Sequence, residues 1–580
     1  MKKYGILIFL IVFLFSTIPL NAFKYAVVVS ASTYSDPSWG AVVDSLENKY
    51  SPDVQVFQWT SSIYNVKTDL ENYQPDYIGF ICQPVSEANE VFIRTAYIMT
   101  RELDSDPYGD AVWGIITGYN ADDVIRSLQC SLSVMTTVSS SPTANPTNSP
   151  YRQFYQAIGT FEAEGGPHIK YSFSDGTILD TLDTLNLYTD RTVTFARWLN
   201  AESININLNG HPSFSGSFDM FVTSGHANVN EWQAHYPDPD PEGYFRSLDG
   251  QLRADTYDSG AIYINSNNPK VYLCPGNCLI GKPDNINYMV YAWFHTGGAI
   301  QMLAYMPVTW YGYQGWGAYS RFISFPGLFN VAESNYVTNQ CLLFDLENHT
   351  PGVDTYGLAY DRDAVAIYGD PAQYAKMYEY PDTCWYYSQE LVHIDADVDT
   401  FIFTIEANID SVAPGTSKHP FALLPVRIDP ASINVESTNA IIPVITDNFV
   451  LLYCWNNQMQ KLAKGETRYV RWTATQVGVE EEIIAVNPDR IMLKITSANP
   501  FNNYLEINYE IPNHRFINLS IFDISGREVR NLVSGQVSPG NYHITWNGDD
   551  FQGSHVLPGK YFVVFKTEDQ VLTEEIIKIK

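Results

Sequence analysis

Short apolar runs alternating with stretches of helical character open this chain, and that alternation narrows its architecture more than any other feature. Tyr25–Ser30 (YAVVVS), Val54–Trp59, Tyr77–Cys82 (YIGFIC) and Ala111–Gly118 (AVWGIITG) read as strands. Asp36-Pro37 supplies an N-cap and a first-turn proline for a helix through Leu46, and Glu87–Glu102 and Ala121–Leu128 read as further helices. Strands that are apolar throughout must be covered on both faces, and strands separated by helices return in parallel. The pattern up to about Cys130 therefore implies a parallel sheet between two helical layers.

The texture pauses over 137–150 (TVSSSPTANPTNSP), which has no apolar period and reads as an exposed linker. It then resumes. Phe218–Thr223, Lys270–Leu273 and Gly298–Met306 read as strands; Thr192–Leu199, Asn285–His295 and Ala332–Phe344 read as helices; Val365–Pro371 (VAIYGDP) closes the region. Beyond about residue 380, runs such as Thr400–Glu406 and Ala440–Ile445 are separated by Pro, Gly and Asn with little helical period. The expected fold class is multidomain: a mostly parallel, three-layer α/β domain over 23–380, followed by two β-sandwiches. Within the first, 23–136 forms one half and 151–380 the other; the sandwiches cover 381–486 and 487–580. No internal repeat is visible.

Residues 1–22 are set apart. Met1-Lys2-Lys3 is a basic start, Gly5 to Phe15 is almost wholly apolar, and Leu20-Asn21-Ala22 offers a small residue at a cleavage point. This is the layout of a secretory signal peptide, and the run is too short and interrupted for a comfortable membrane span. No later segment has the unbroken apolar length of a transmembrane helix. With 34 basic and 64 acidic side chains the formal charge is −30, a field that repels phosphate backbones and argues against nucleic acid as a partner. The carboxylates are available to calcium, but no stretch has the spacing of a dedicated calcium loop. Seven cysteines are too few for a disulfide-dense scaffold and odd in number, and in an oxidising compartment an unpaired thiol needs a reason.

Two apolar strands end in reactive side chains. One runs Phe218-Asp-Met-Phe-Val-Thr-Ser-Gly225-His226, the other Lys270-Val-Tyr-Leu-Cys274-Pro-Gly-Asn-Cys278-Leu-Ile-Gly281. Catalytic groups of α/β sheets collect beyond the carboxyl ends of the strands, so neighbouring strands would bring the His226 imidazole and the Cys278 thiol to one rim. A deprotonated thiol attacks a carbonyl, the imidazole protonates the departing amine, and backbone N–H groups near Ala227 and Cys278 would receive the oxyanion. Other readings stand beside this one. His and Cys can each be structural, and Cys274 and Cys278 can form a local disulfide that would disable the nucleophile. A metal site is disfavoured by the C-x3-C spacing and the lack of a second pair. The segment Trp310–Trp316 (WYGYQGW) would either line a substrate pocket or fill a loop under a glycine-rich turn, and His235 reads as a surface residue.

Apolar block, Gly-His, spacer, second apolar block and Cys, in that order, resemble the caspase-like clan, and within it the gingipain-type cysteine peptidases. Cys278-Leu-Ile-Gly281 is similar to their Cys-x-x-Gly. Ala292–Ile300 (AWFHTGGAI) resembles their helix-to-strand passage, and Tyr368-Gly-Asp-Pro371 their closing Gly-Asp-Pro. The resemblance spans about residues 24–380. It implies Cys278 as nucleophile, His226 as general acid, protein or peptide substrates, no cofactor in the chemistry and room for a structural calcium whose ligands it does not identify. The family usually has glycine after the histidine; here Ala227 keeps the N–H. The family also carries a long pro-segment, while here the first strand starts close to the expected cleavage point.

The last unit contains Leu519-Ser-Ile-Phe-Asp-Ile-Ser-Gly526, Gly540-Asn-Tyr-His-Ile-Thr-Trp546-Asn-Gly548 and Gly559-Lys-Tyr-Phe-Val-Val564. Alternating strands joined by Ser-Gly, Asn-Gly and Pro-Gly turns indicate a small antiparallel sandwich. It resembles the C-terminal sorting domain of type IX secretion cargo, related to FlgD-like Ig folds. That resemblance implies engagement of the type IX machinery, passage through the periplasm, and release or anchoring at the outer surface. Two functions follow as expectations: a secreted cysteine endopeptidase, or a catalytically inactive relative serving as a surface binding or adhesion protein.

Overall fold

The structure is a computed structural model. It describes residues 23–579 except 141–155, 183–189, 201–217, 235–242, 378–385, 478–491, 496–500 and shorter stretches between them. The expected signal peptide, His235 and Cys384 lie outside the described residues.

Strands β1 (Tyr25–Ser30), β2 (Val54–Trp59), β3 (Tyr77–Ile81), β4 (Val112–Ile116), β5 (Thr137–Ser140), β6 (Gln156–Ala163), β7 (Gly166–Phe173), β8 (Ile178–Leu182), β9 (Met220–Val222), β10 (Lys270–Cys274), β11 (Ala299–Tyr305) and β12 (Val365–Tyr368) form one sheet. Its order is β2-β1-β3-β4-β12-β11-β10-β9-β5-β6-β7-β8. Pairing is parallel except at β11/β12, β6/β7 and β7/β8. The antiparallel seam, with Met302 opposite Tyr368 and Tyr305 opposite Val365, joins two parallel groups that run in opposite directions. The sheet is thus mixed rather than parallel throughout.

Local chemistry explains the elements that match expectation. Asp36 accepts from Ser38 N–H at 2.9 Å and Trp39 N–H at 3.2 Å, capping the helix Pro37–Tyr50. Every residue of β1, β4, β10, β11 and β12 is buried, as continuous apolar strands require. Three departures have physical reasons. Thr137–Ser140, expected in the linker, is strand β5, because it completes a parallel ladder between β9 and β6. The segment Trp310–Trp316 is not all loop: Tyr313–Ser324 is a helix in which Gly317 approaches Ser417. Between β9 and β10 lies an unexpected five-stranded antiparallel sheet, starting with Gly225–Asn228 and Glu231–Ala234 and ending at Ala261–Tyr263.

Residues up to Gln476 form one compact unit. Its later part has a four-stranded sheet (Tyr387–Ile394, Asp399–Ala407, Thr467–Ala474, Asn434–Thr438) and a three-stranded one (Phe421–Leu423, Phe449–Tyr453, Ile442–Ile445). Phe401, Phe421 and Phe449 share a continuous apolar core with Val271, Leu303 and Tyr336 of the α/β part. Polar bonds add to this: Arg427 Nη2 donates to the carbonyls of Pro75 at 2.8 Å and Asp110 at 2.5 Å.

The unit from Val477 onward is an antiparallel sandwich. Met492–Ile495, Leu505–Ile511 and Gly540–Trp546 form one sheet; Arg515–Asp523, Glu528–Val537, Gly559–Lys566 and Val571–Lys578 form the other. Leu505, Ile507, Leu519, Trp546, Val563 and Phe565 fill the space between them. No helix among the described residues is long and apolar enough to cross a membrane.

Candidate active site

β9 and β10 lie side by side in parallel register, Met220 opposite Val271 and Val222 opposite Leu273. Aromatic rings back them: Trp293 stacks on Tyr272 at 3.9 Å between centroids, and Phe221 lies 5.9 Å from the same tyrosine. Thr223 N–H donates to the Leu273 carbonyl at 2.9 Å. The two backbones therefore leave the sheet at one rim, one toward Ser224-Gly225-His226 and the other toward Pro275-Gly276-Asn277-Cys278.

The two exits are tied together. Asn277 Nδ2 donates to Thr223 Oγ1 at 3.0 Å, and that hydroxyl shares a bond of 2.8 Å with the Tyr272 phenol. A Cβ on Gly276 would sit 2.5 Å from Ser224 Oγ and 3.0 Å from the Trp316 ring, so glycine permits the close approach.

Cys278 is half-buried, and its sulfur accepts the backbone N–H of Thr309 at 3.3 Å. Leu279 N–H then donates to Pro307 O at 3.1 Å and Gly281 N–H to Tyr305 O at 2.9 Å. The Cys-x-x-Gly turn is thus laid along the chain that continues β11. A Cβ on Gly281 would fall 2.7 Å from Ala304 Cβ, which explains the glycine. Leu279 holds φ +60°, a left-handed conformation that costs a non-glycine residue about 1–2 kcal/mol. Tyr360 stands close by: burial and then Asp361 raise its pKa, and the Cys278 sulfur adds to the same effect. Its hydroxyl donates to Val308 O at 2.8 Å. Trp310, next to Thr309, is 74% exposed.

The neighbouring cysteine differs. Cys274 is fully buried, its thiol donates to Leu303 O at 3.0 Å, and burial holds its pKa well above the ordinary value. Cys274 and Cys278 are both free thiols, so the local disulfide does not form.

His226 lies in the antiparallel strand Gly225–Asn228, with Gln233 opposite and its side chain exposed. Ala227 pairs with Trp232 and is absent from the residues with positive φ, so its N–H sits on ordinary L-residue backbone. His295 is engaged elsewhere: it shares a 2.8 Å bond with Asp123 and stacks on Tyr119.

A further cluster was not nominated by the sequence reading. Asp104, Asp110 and Asp447 bring carboxylate oxygens within 4.8 Å of one another. Asp110 Oδ2 and Asp447 Oδ1 are buried without a hydrogen-bond partner. Burial, reinforced by Asp104 and Asp447 and opposed by Arg427, pushes the Asp110 carboxyl up to about 9. Orphaned oxygens on an all-oxygen donor set suit a hard divalent cation such as calcium.

Residues 505–570 match the family model of the FlgD Ig-like domain. No curated protein matches the chain. Among solved structures it is similar to the Arg-specific cysteine proteinase gingipain R (RgpB), at 8% identity and a TM-score of 0.39 over 96% of this chain and 98% of that one. The complex of Porphyromonas gingivalis RgpB pro- and mature domains gives 9% identity and 0.39 over 96% and 100%. Dimeric latent PorU from Porphyromonas gingivalis gives 11% and 0.14 over 38% and 23%. The fold and the family match define a multidomain α/β protein that ends in an Ig-like module.

Proposed function

We propose that this chain is an exported cysteine endopeptidase, with Cys278 as nucleophile and His226 as general acid and base. The observation that carries this reading is the parallel pairing of β9 with β10, which sends both segments from one rim, with a backbone N–H already directed at the Cys278 sulfur. In acylation the sulfur attacks the peptide carbonyl carbon, an S–C bond forms, the C–N bond breaks, and the amine leaves with a proton from His226. In deacylation His226 takes a proton from water, which attacks the thioester, and the acid product and thiol are released. The N–H groups of Ala227 and Cys278 are the proposed oxyanion donors, each contributing about 2.7–4 kcal/mol in such sites. Thiol and imidazole carry the chemistry, so it requires no cofactor.

Around this core the proposal has three further parts. Exposed Trp310 beside Thr309 contributes to the substrate surface. Asp104, Asp110 and Asp447 hold a structural calcium, which neutralises buried carboxylates and takes no part in hydrolysis. The C-terminal module acts as a type IX sorting domain, delivering the protein through the periplasm to the outer surface or the medium; the FlgD Ig-like match supports its Ig fold.

Alkylation tests the peptidase reading. Fast, selective labelling of Cys278 by iodoacetamide, slowed in His226→Ala, with cleavage of a peptide library lost in Cys278→Ala, is the expected result. A Cys278 no more reactive than Cys130, with no cleavage, would favour the inactive surface binding protein instead.

A further inference from the structure

A cavity of about 220 Å³ opens between the C-terminal end of the helix Tyr313–Ser324 and the β-sheets that follow the α/β part. Phe325, Val412, Pro414 and Tyr386 give it apolar and aromatic walls. Among the described residues its charged lining has one sign. Arg321, Lys418 and Lys461 line it and no described carboxylate does, in a chain with 64 acidic and 34 basic side chains.

Arg321 is the unusual member. It is 3% exposed, and its Nη2 donates to the carbonyls of Ser417 at 2.8 Å and His419 at 2.9 Å. Its Nε and Nη1 are buried without a hydrogen-bond partner. Asp345 is bonded to His419 at 3.0 Å rather than to the guanidinium. A buried cation without a paired anion is strongly unfavourable unless something nearby compensates it. Lys418 Nζ stands 4.7 Å from the Tyr386 ring centroid, and neither lysine forms an ion pair among the described residues.

We infer that this cavity binds a small organic anion, a carboxylate carried on an apolar body of aromatic size. The carboxylate meets Lys418 and Lys461 at the mouth, within the field of Arg321, and the body lies against Phe325, Val412 and Tyr386. A free acid and the C-terminal residue of a peptide share this chemistry. The inference does not rest on the peptidase reading, since none of these groups belongs to the Cys278 rim.

Calorimetric titration of the full-length protein with 3-phenylpropionate, 3-phenylpropionamide and N-acetyl-phenylalanine tests it. At least one of the two acids is expected to bind saturably, about tenfold or more tighter than the amide, and to weaken as salt is raised. The double variant Lys418→Gln, Lys461→Gln alters two exposed side chains, keeps the fold and weakens the acid by about tenfold or more. Tighter binding of N-acetyl-phenylalanine identifies peptide C-termini as the source; tighter binding of 3-phenylpropionate identifies free acids. Equal affinity for acid and amide, unchanged affinity in the double variant, or no saturation by either acid at millimolar concentration would overturn the inference.

Discussion

The backbone N–H of Thr309 donates to the sulfur of Cys278 at 3.3 Å, joining the loop after β11 to the end of the loop after β10. The contact fixes where the sulfur stands relative to the rim, and so the line along which it can meet an electrophile. Thr309→Pro removes the donor, and Thr309→Ala keeps it. The proline variant is expected to react with iodoacetamide about tenfold more slowly, because its sulfur loses the bond that positions it. The alanine variant should keep the parent rate. Matching rates in all three proteins would mean that the bond has no hold on the sulfur.

Gly281 sets how closely the Cys278 turn lies on β11. Alanine there would bring a methyl carbon to 2.7 Å from Ala304 Cβ and 2.8 Å from the Ala304 carbonyl oxygen, and backbone on both sides resists the shift. Gly281→Ala is expected to lose about 1–3 kcal/mol of unfolding free energy in urea. It should also slow Cys278 labelling, because the turn can relieve the clash only by moving the sulfur off Thr309 N–H.

Some of this architecture is legible in the chain and some is not, for physical reasons. Lys270–Cys274 stands out because a strand buried on both faces must be apolar at every position that carries no special bond, and Asp36-Pro37 because a cap is a local signal. His226 was expected at the rim where β9 ends, but its hairpin was hidden: Gly225–Asn228 turns into Glu231–Ala234 through Val229-Asn230, which lacks the Asn-Gly or Asp-Gly signature. The helix Tyr313–Ser324 was hidden by Gly315 and Gly317, poor helix formers. They are tolerated because a Cβ at Gly315 would reach 2.8 Å from Pro275 O and one at Gly317 2.7 Å from Ser417 Cβ. Thr309 and Asp447 act through contacts distant in the chain, and no local pattern marks them.

Asp370, of the Gly-Asp-Pro run, ties the chain after β12 to β1 and to the helix Pro37–Tyr50. It accepts from the Tyr25 hydroxyl at 3.0 Å, the Tyr50 hydroxyl at 2.5 Å and Lys49 Nζ at 2.8 Å, and it is itself buried. Asp370→Ala leaves two phenols without their acceptor and a partly buried ammonium with only Gln373 Oε1, at 2.7 Å, and no counter-charge. An expected loss of about 2–4 kcal/mol follows, read as a lower urea midpoint with an unchanged slope. Because β1 and the helix Pro37–Tyr50 lie away from the Cys278 rim, the folded fraction should keep its alkylation rate.

The acidic trio makes stability depend on pH in a direction that calcium should reverse. Burial first, then the charges of Asp104 and Asp447, hold the Asp110 carboxyl up to about 9, against an ordinary aspartate near about 3.9 in the unfolded chain. Between those values the folded protein keeps a proton that the unfolded chain releases. The contribution is therefore whole below about pH 4 and declines as pH rises toward about 9. At the proposed site a divalent cation would replace the proton and satisfy the orphaned oxygens of Asp110 and Asp447. After chelation, this carboxyl should lower the melting temperature as pH rises from about 5 to about 8. Calcium at a hundredfold excess over its Kd should add about 2.7 kcal/mol near pH 8, and progressively less as acid competes for the carboxylates. Asp110→Asn should remove both the calcium gain and the part of the slope due to Asp110. A gain equal at both ends of that range, or one that survives Asp110→Asn, would place the cation elsewhere.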